Sequence, residues 1–143
     1  PIPILGNGDL TSPSLAVEKM RESKCDGVMI GRGCLKNPYI FRESLRLWKN
    51  EEILGEKNFP EIIQRLVGHL EKDFDERLTK IQLRKLAAWY SAGFPESAAF
   101  RKSMYSIDDL PELFSTAQNY FGRVQSISQQ DTSHEAFLMG GHG

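Results

Sequence analysis

Cysteine is scarce in this chain: Cys25 and Cys34 are the only two among 143 residues. Two are too few for a disulfide framework, and they fit a reducing, cytoplasmic setting. No apolar run approaches the length that spans a bilayer, so no membrane association is expected. The opening, Pro1-Ile2-Pro3-Ile4-Leu5-Gly6, lacks a basic stretch, and a secretory signal peptide is not expected there. Nor is there an excess of one charge. The net charge is −1, so any nucleic-acid signal must come from how charge is distributed. No internal repeat is visible. The chain also lacks an initiator Met and opens directly into an apolar stretch. The expectation is a piece of a longer protein.

What is present reads as folded protein, with 40% hydrophobic and 26% charged residues. The length suits one ordinary domain, or a piece of one plus a second small one. Residues 2–5 read as a short buried strand that ends at Gly6-Asn7-Gly8-Asp9. Thr11-Ser12-Pro13 then signals a helix start, a hydroxyl cap before a first-turn proline. Ala16, Val17 and Met20 fall on one face of that helix. Gly27-Val28-Met29-Ile30 reads as a second strand, followed by Gly31-Arg32-Gly33. Asn37-Pro38 opens a further helix whose expected apolar stripe is Ile40, Phe41, Leu45 and Trp48. Short apolar strands alternating with helices imply parallel strands buried on both faces.

The pattern changes after Trp48. Residues 49–59 read as a linker, and everything from Pro60 reads as helical. Ile63, Leu66, Val67, Leu70 and Phe74 form one stripe. A helix from Thr79 to Ser91 has Ile81, Leu86 and Trp89 as expected core, and Gly93-Phe94-Pro95 ends it. A shorter helix spans residues 96–104. Asp108 or Asp109 caps a last one carrying Leu110, Leu113, Phe114, Ala117 and Phe121. Four amphipathic helices with short connections suggest a small bundle. From Gln125 onward the chain reads as a disordered tail.

Two glycine loops carry the chemistry. Gly6-Asn7-Gly8 and Gly31-Arg32-Gly33 each follow a strand and precede a helix. Glycine lets backbone N–H groups approach a phosphate closely, and helix N-termini add donors and a positive dipole end. Arg32 contributes a permanent charge with forked donors. One such loop is as readily a tight strand-to-helix connection. The pair, with an arginine between glycines, favours a phosphate site of the kind found after the last two strands of (β/α)₈ barrels, without identifying the ligand.

Ile4-Leu5-Gly6-Asn7-Gly8-Asp9, Cys25-Asp26-Gly27-Val28-Met29-Ile30-Gly31-Arg32-Gly33 and Asn37-Pro38-Tyr39-Ile40-Phe41 resemble the tRNA-dihydrouridine synthase family in order and spacing. Arg84-Lys85-Leu86-Ala87-Ala88-Trp89-Tyr90, Gly93-Phe94-Pro95 and Ala98-Ala99-Phe100-Arg101 resemble the helical domain of its bacterial B-type members. The resemblance covers about residues 2–107. It implies an α/β portion, residues 1–48, that forms the last two strand–helix units of an FMN-binding TIM barrel. A linker over 49–59, an all-α tRNA-binding bundle over 60–124 and a tail over 125–143 complete the expected organisation. It also implies an oxidoreductase that reduces uridine in tRNA to dihydrouridine through FMN, with NADPH or NADH as reductant. By this match Asn7, Gly8, Gly31 and Arg32 fall on flavin-phosphate positions, while Asp9 is equally readable as a local cap. Two departures stand out. Leu86 replaces a histidine usual in the family. The family's catalytic cysteine belongs to an earlier barrel half that this chain lacks, and neither Cys25 nor Cys34 matches it. The fragment alone is expected to be inactive.

Charge clusters in the helical region. Residues 77–102 hold Arg77, Lys80, Arg84, Lys85, Arg101 and Lys102 against the single acid Glu96, a net +5 that leaves −6 for the rest of the chain. Arg77, Lys80 and Arg84 share a helix face. From the residues alone, a phosphate-contacting face and an ordinary solvated face stand equal; the resemblance favours tRNA. Two alternatives complete the field: a small-molecule FMN oxidoreductase of the TIM-barrel class, and a non-catalytic RNA-binding helical module.

Overall fold

A computed structural model describes residues 1–53, 57–130 and 132. The described residues divide into two compact units, residues 1–53 and residues 57–130 with 132.

The first unit runs β1 (Leu5–Asn7), α1 (Pro13–Ser23), β2 (Gly27–Met29), α2 (Gly33–Lys36) and α3 (Ile40–Trp48). The strands pair in parallel, with Leu5 opposite Gly27, Gly6 opposite Val28 and Asn7 opposite Met29. Parallel pairing needs a crossover, and α1 supplies it. Ser12 caps α1 by accepting the Leu15 N–H at 3.2 Å, with Pro13 in the first turn. The start signal read from the sequence is therefore what begins this helix.

The first strand lies later than the expected 2–5. Asp26 sets its start: its carboxylate accepts the Ile4 N–H at 2.8 Å, and its own N–H donates to the Ile4 carbonyl at 2.9 Å. Burial on both faces does not hold for these strands as they stand here, since Leu5 is 63% and Met29 54% exposed. The expected stripe on α3 also divides. Ile40 is fully buried, while Phe41, Leu45 and Trp48 form a separate exposed face. At about 100° per residue, positions 41, 45 and 48 cluster on a side turned away from 40 and 43.

The second unit contains α4 (Phe59–Asp73), α5 (Glu76–Tyr90), α6 (Ser97–Ser106) and α7 (Leu110–Val124), the expected four helices. Side-chain caps start three of them. Asn58 accepts from Glu61 N at 3.1 Å, Asp75 from Leu78 N at 2.8 Å and Asp109 from Glu112 N at 2.9 Å. Phe59, assigned to the linker by sequence, is instead the first residue of α4 and fully buried. It stacks on Phe121 and meets Phe94 edge-on, both at 5.3 Å between centroids. Phe100 stacks on Tyr120 in the same aromatic core.

The core face of α5 is Thr79, Leu83, Ala87 and Tyr90. Of the expected core residues Trp89 is buried, while Ile81 is exposed and Leu86 only half-buried, so those two positions are corrected. The tail boundary at Gln125 does not hold for residues 125–130 either. Gln129 Nε2 donates to the Ala92 carbonyl at 2.7 Å, and Gln130 N donates to the Gly93 carbonyl at 3.0 Å. Gly93 has φ +79°, and a Cβ there would lie 2.3 Å from the Gln130 carbonyl oxygen, so this return requires glycine. The rest of the expected tail, residue 131 and residues 133–143, lies outside the described residues.

Candidate phosphate-binding loops and basic helical face

Because β1 and β2 run parallel and in register, the loops that follow them leave the sheet side by side. Asn7 and Gly8 extend one loop; Gly31 and Arg32 lie on the other. A Cβ at Gly8 or Gly31 would meet nothing within 4 Å, so the backbone at both positions faces open space. Arg32 is exposed and forms an ion pair with Asp9, which links the two loops. Asp9 has φ +30°, an uncommon conformation for a residue with a side chain.

Gly33 plays a different part. It is buried, and a Cβ there would fall 2.2 Å from the Leu10 carbonyl oxygen and 2.9 Å from Ile40 Cδ1. Its absent side chain is what lets the second loop close against the first. Both cysteines are structural neighbours of these loops. The Cys34 thiol donates to the Gly31 carbonyl at 3.1 Å, and the Cys25 sulfur lies 3.4 Å from where a Gly6 Cβ would stand. The structure thus brings Asn7, Gly8, Gly31 and Arg32 to one end of the sheet. A cation and open glycine backbones from two loops are a donor set that suits a phosphate. The groove between α1 and the end of α3, lined by Val17, Arg21, Leu47 and Asn50 among others, touches none of these four residues.

The six cations of the second unit separate into two kinds. Arg77, Lys85 and Lys102 are exposed, and Arg101 is half-buried. The Lys85 ammonium lies 4.9 Å from the centre of the Trp89 ring. Lys80 and Arg84 have side chains only 16% and 17% exposed. Arg84 Nε donates to the Met104 carbonyl at 3.1 Å, and its Nη2 donates to the Ile107 carbonyl. Lys80 Nζ donates to the Asp108 carbonyl at 2.8 Å, and both cations lie 3.5 Å from the Asp108 carboxylate. These groups close the end of α6 and the turn into α7. The last carbonyls of a helix lack intrahelical partners, and α6 has no following glycine to turn them inward. Arg84 supplies the missing donors from α5. Sequence reasoning missed this role because the acceptors are main-chain atoms; the one legible signal was the missing glycine after Ser106.

Among the described residues, no group of three or more His, Cys, Asp or Glu side chains could hold a metal ion. No helix of the described residues is long and apolar enough to cross a membrane.

The profile of the family described as "Dihydrouridine synthase (Dus)" matches residues 1–125. The chain belongs to the dihydrouridine synthase family. Within it, the chain is 38% identical over 121 residues to a "Probable tRNA-dihydrouridine synthase" of Mycobacterium leprae (strain TN), covering 78% of this chain and 30% of that protein. It is 32% identical over 123 residues to "tRNA-dihydrouridine synthase B" of Xanthomonas axonopodis pv. citri (strain 306), covering 84% and 37%. A B-type synthase of Pasteurella multocida (strain Pm70) is 31% identical over 127 residues, covering 86% and 38%. The chain resembles the bacterial B-type members, and it spans 30–38% of the length of these relatives. The family match extends through both units, so the glycine loops and the helical bundle belong to the same family pattern.

Proposed function

We propose that this chain is the C-terminal part of a longer FMN-dependent enzyme that reduces uridine in tRNA to dihydrouridine, with NADPH or NADH as reductant, in the cytoplasm. The observation that carries the reading is the juxtaposition of the Asn7–Gly8 and Gly31–Arg32 loops at the same end of two parallel strands, in a chain of this family.

In this reading Asn7, Gly8, Gly31 and Arg32 hold the flavin phosphate, and the first unit is the last part of a (β/α)₈ barrel. Bound FMN would supply hydride to the uracil ring. The chain's own residues bind and orient: loop N–H groups and the Arg32 guanidinium neutralise the phosphate, and Gly33 keeps the two loops in contact. The proton for the neighbouring uracil carbon comes from a cysteine of the preceding barrel half. Exposed Leu5 and Met29 on the strands, and Phe41, Leu45 and Trp48 on α3, support a first unit completed by that half.

The second unit is proposed to receive tRNA on the face of Arg77, Lys80, Arg84, Lys85, Arg101 and Lys102. The exposed Arg77, Lys85 and Lys102 make the direct phosphate contacts; Lys80 and Arg84 hold the frame.

The test compares the full-length reading frame with the 143-residue chain. The full-length protein is expected to purify with stoichiometric FMN and to reduce uridine in tRNA. The short chain is expected to be colourless and inactive. A full-length protein that stays flavin-free when FMN is supplied would overturn the reading.

A further inference from the structure

Glu43 is a carboxylate in the interior, 4% exposed. A buried carboxylate is costly unless strongly hydrogen-bonded, so its position calls for a reason. It accepts a hydrogen bond from Asn37 Nδ2 at 2.6 Å. Asn37 in turn accepts the Tyr39 N–H on its side-chain oxygen at 3.1 Å, and its backbone N–H donates to the Gly33 carbonyl at 3.1 Å. Asn37 therefore ends α2, shapes the turn around Pro38 and is held from α3 by Glu43.

α2 is only four residues long and immediately follows Arg32. One turn of helix has almost no stability of its own. Among the contacts that place it are those at its two ends. At the start, Gly33 fits against the Leu10 carbonyl and Ile40, where a Cβ would not. At the finish stands the Asn37–Glu43 pair. Between them, Cys34 N and Leu35 N donate back to the Gly31 and Arg32 carbonyls at 3.2 Å and 3.0 Å. The path from Glu43 to the Arg32 loop is thus continuous.

The geometry points to Glu43, acting through Asn37, as a positioning residue that sets the Gly31–Arg32 loop for the flavin phosphate. The inference rests on the phosphate reading above. Neither residue touches the ligand. Their effect is confined to the phosphate end, so it should appear with FMN and not with riboflavin, which has the same ring system and no phosphate.

The experiment measures FMN and riboflavin dissociation constants by flavin fluorescence on the full-length protein stripped of flavin. Asn37→Asp sets a second carboxylate against Glu43 and should weaken FMN on the order of tenfold, the loss of one charge-assisted bond, with riboflavin unchanged. The double variant Asn37→Asp with Glu43→Gln restores one amide and one carboxylate at the same side-chain lengths, and FMN affinity should return. If Asn37→Asp does not fold, Glu43→Gln carries the comparison, with a smaller loss confined to FMN. Equal weakening of both flavins, an unchanged FMN constant, or no recovery in the double variant would overturn the inference. Arg32→Ala separates the two ideas. A wild type that binds riboflavin as tightly as FMN overturns the phosphate reading and this inference with it. An FMN preference lost in Arg32→Ala but kept in Asn37→Asp overturns this inference alone.

Discussion

Arg32 and Asp9 form an ion pair between the loops that follow the two parallel strands. Both side chains are mostly exposed, so the pair contributes only about 0–1 kcal/mol to stability. Its significance is positional. The carboxylate occupies the guanidinium where a phosphate would compete for it. Arg32→Ala should therefore weaken FMN retention about tenfold in the full-length protein while leaving the melting temperature nearly unchanged. Asp9→Asn should strengthen FMN binding, because it removes the competing anion. Equilibrium dialysis checks both; stoichiometric FMN retained by Arg32→Ala would remove Arg32 from the site.

Arg84 is expected to matter for stability first. Its guanidinium donates to the carbonyls of Met104 and Ile107 at the end of α6. Arg84→Ala leaves those carbonyls without their donor and should cost about 2 kcal/mol by denaturant unfolding. Lys85→Ala, on the exposed side of the same helix, should stay within about 0.5 kcal/mol of wild type. Equal stabilities for the two variants would show that the Arg84 contacts contribute nothing.

How far the sequence could be read depended on which atoms did the work. Side-chain signals survived: Ser12 and Asp109 cap the helices they were expected to begin. The two glycine loops also end their strands side by side. Main-chain needs did not survive, since nothing in the composition says that Met104 and Ile107 would draw Arg84 away from solvent. Trp89 is buried as read, but the rest of the α5 core was missed because its buried face includes Thr79 and Ala87, which carry little hydrophobic signal, while the strongly apolar Ile81 stays outside. Phe59 was lost to the linker because one aromatic among polar residues has no period. Its partners, Phe94 and Phe121, are distant in sequence.

Thr79 offers a stability test of that core. It is fully buried, and its hydroxyl has no hydrogen-bond partner among the described residues. Thr79→Val keeps the shape and removes the unsatisfied oxygen. It should stabilise the protein by about 1 kcal/mol, since valine and threonine differ little in helix propensity. A destabilised Thr79→Val in urea unfolding would mean that the hydroxyl is satisfied in solution.

Tyr120 predicts an alkaline limb. Burial raises its phenol from 10.0 to about 12; Glu96 pushes the same way, while Arg101 and Arg123 oppose. The folded state thus keeps a proton that the unfolded state releases first. The resulting stability is fully present below about pH 10 and is lost as the pH rises towards 12. Tyr120→Phe should remove this limb. At neutral pH it should cost about 1 kcal/mol, because the hydroxyl donates to the Pro95 carbonyl at 2.9 Å. Identical stability profiles for wild type and variant between pH 9 and 12 would contradict the assignment.

The basic face makes the last prediction. Arg77, Lys85 and Lys102 are exposed, and they lie in a segment of net +5 within a chain of net −1. If each neutralises a tRNA phosphate, each releases counterions on binding. Log affinity then falls linearly with log salt, and each lost contact reduces the slope by nearly one unit. Lys85→Gln and Lys102→Gln should weaken tRNA binding, flatten the salt dependence and leave the fold intact. Glu52→Gln, outside the segment, should change neither. Arg84→Ala behaves differently in this scheme. It should lower affinity in proportion to the loss of folded bundle, and the slope should return to the wild-type value where the bundle remains folded. A salt titration of tRNA affinity for these variants and wild type makes the comparison. Unchanged slopes for Lys85→Gln and Lys102→Gln would leave the face as solvated surface and move RNA binding elsewhere. A flattened slope for a fully folded Arg84→Ala would instead place Arg84 directly on a phosphate.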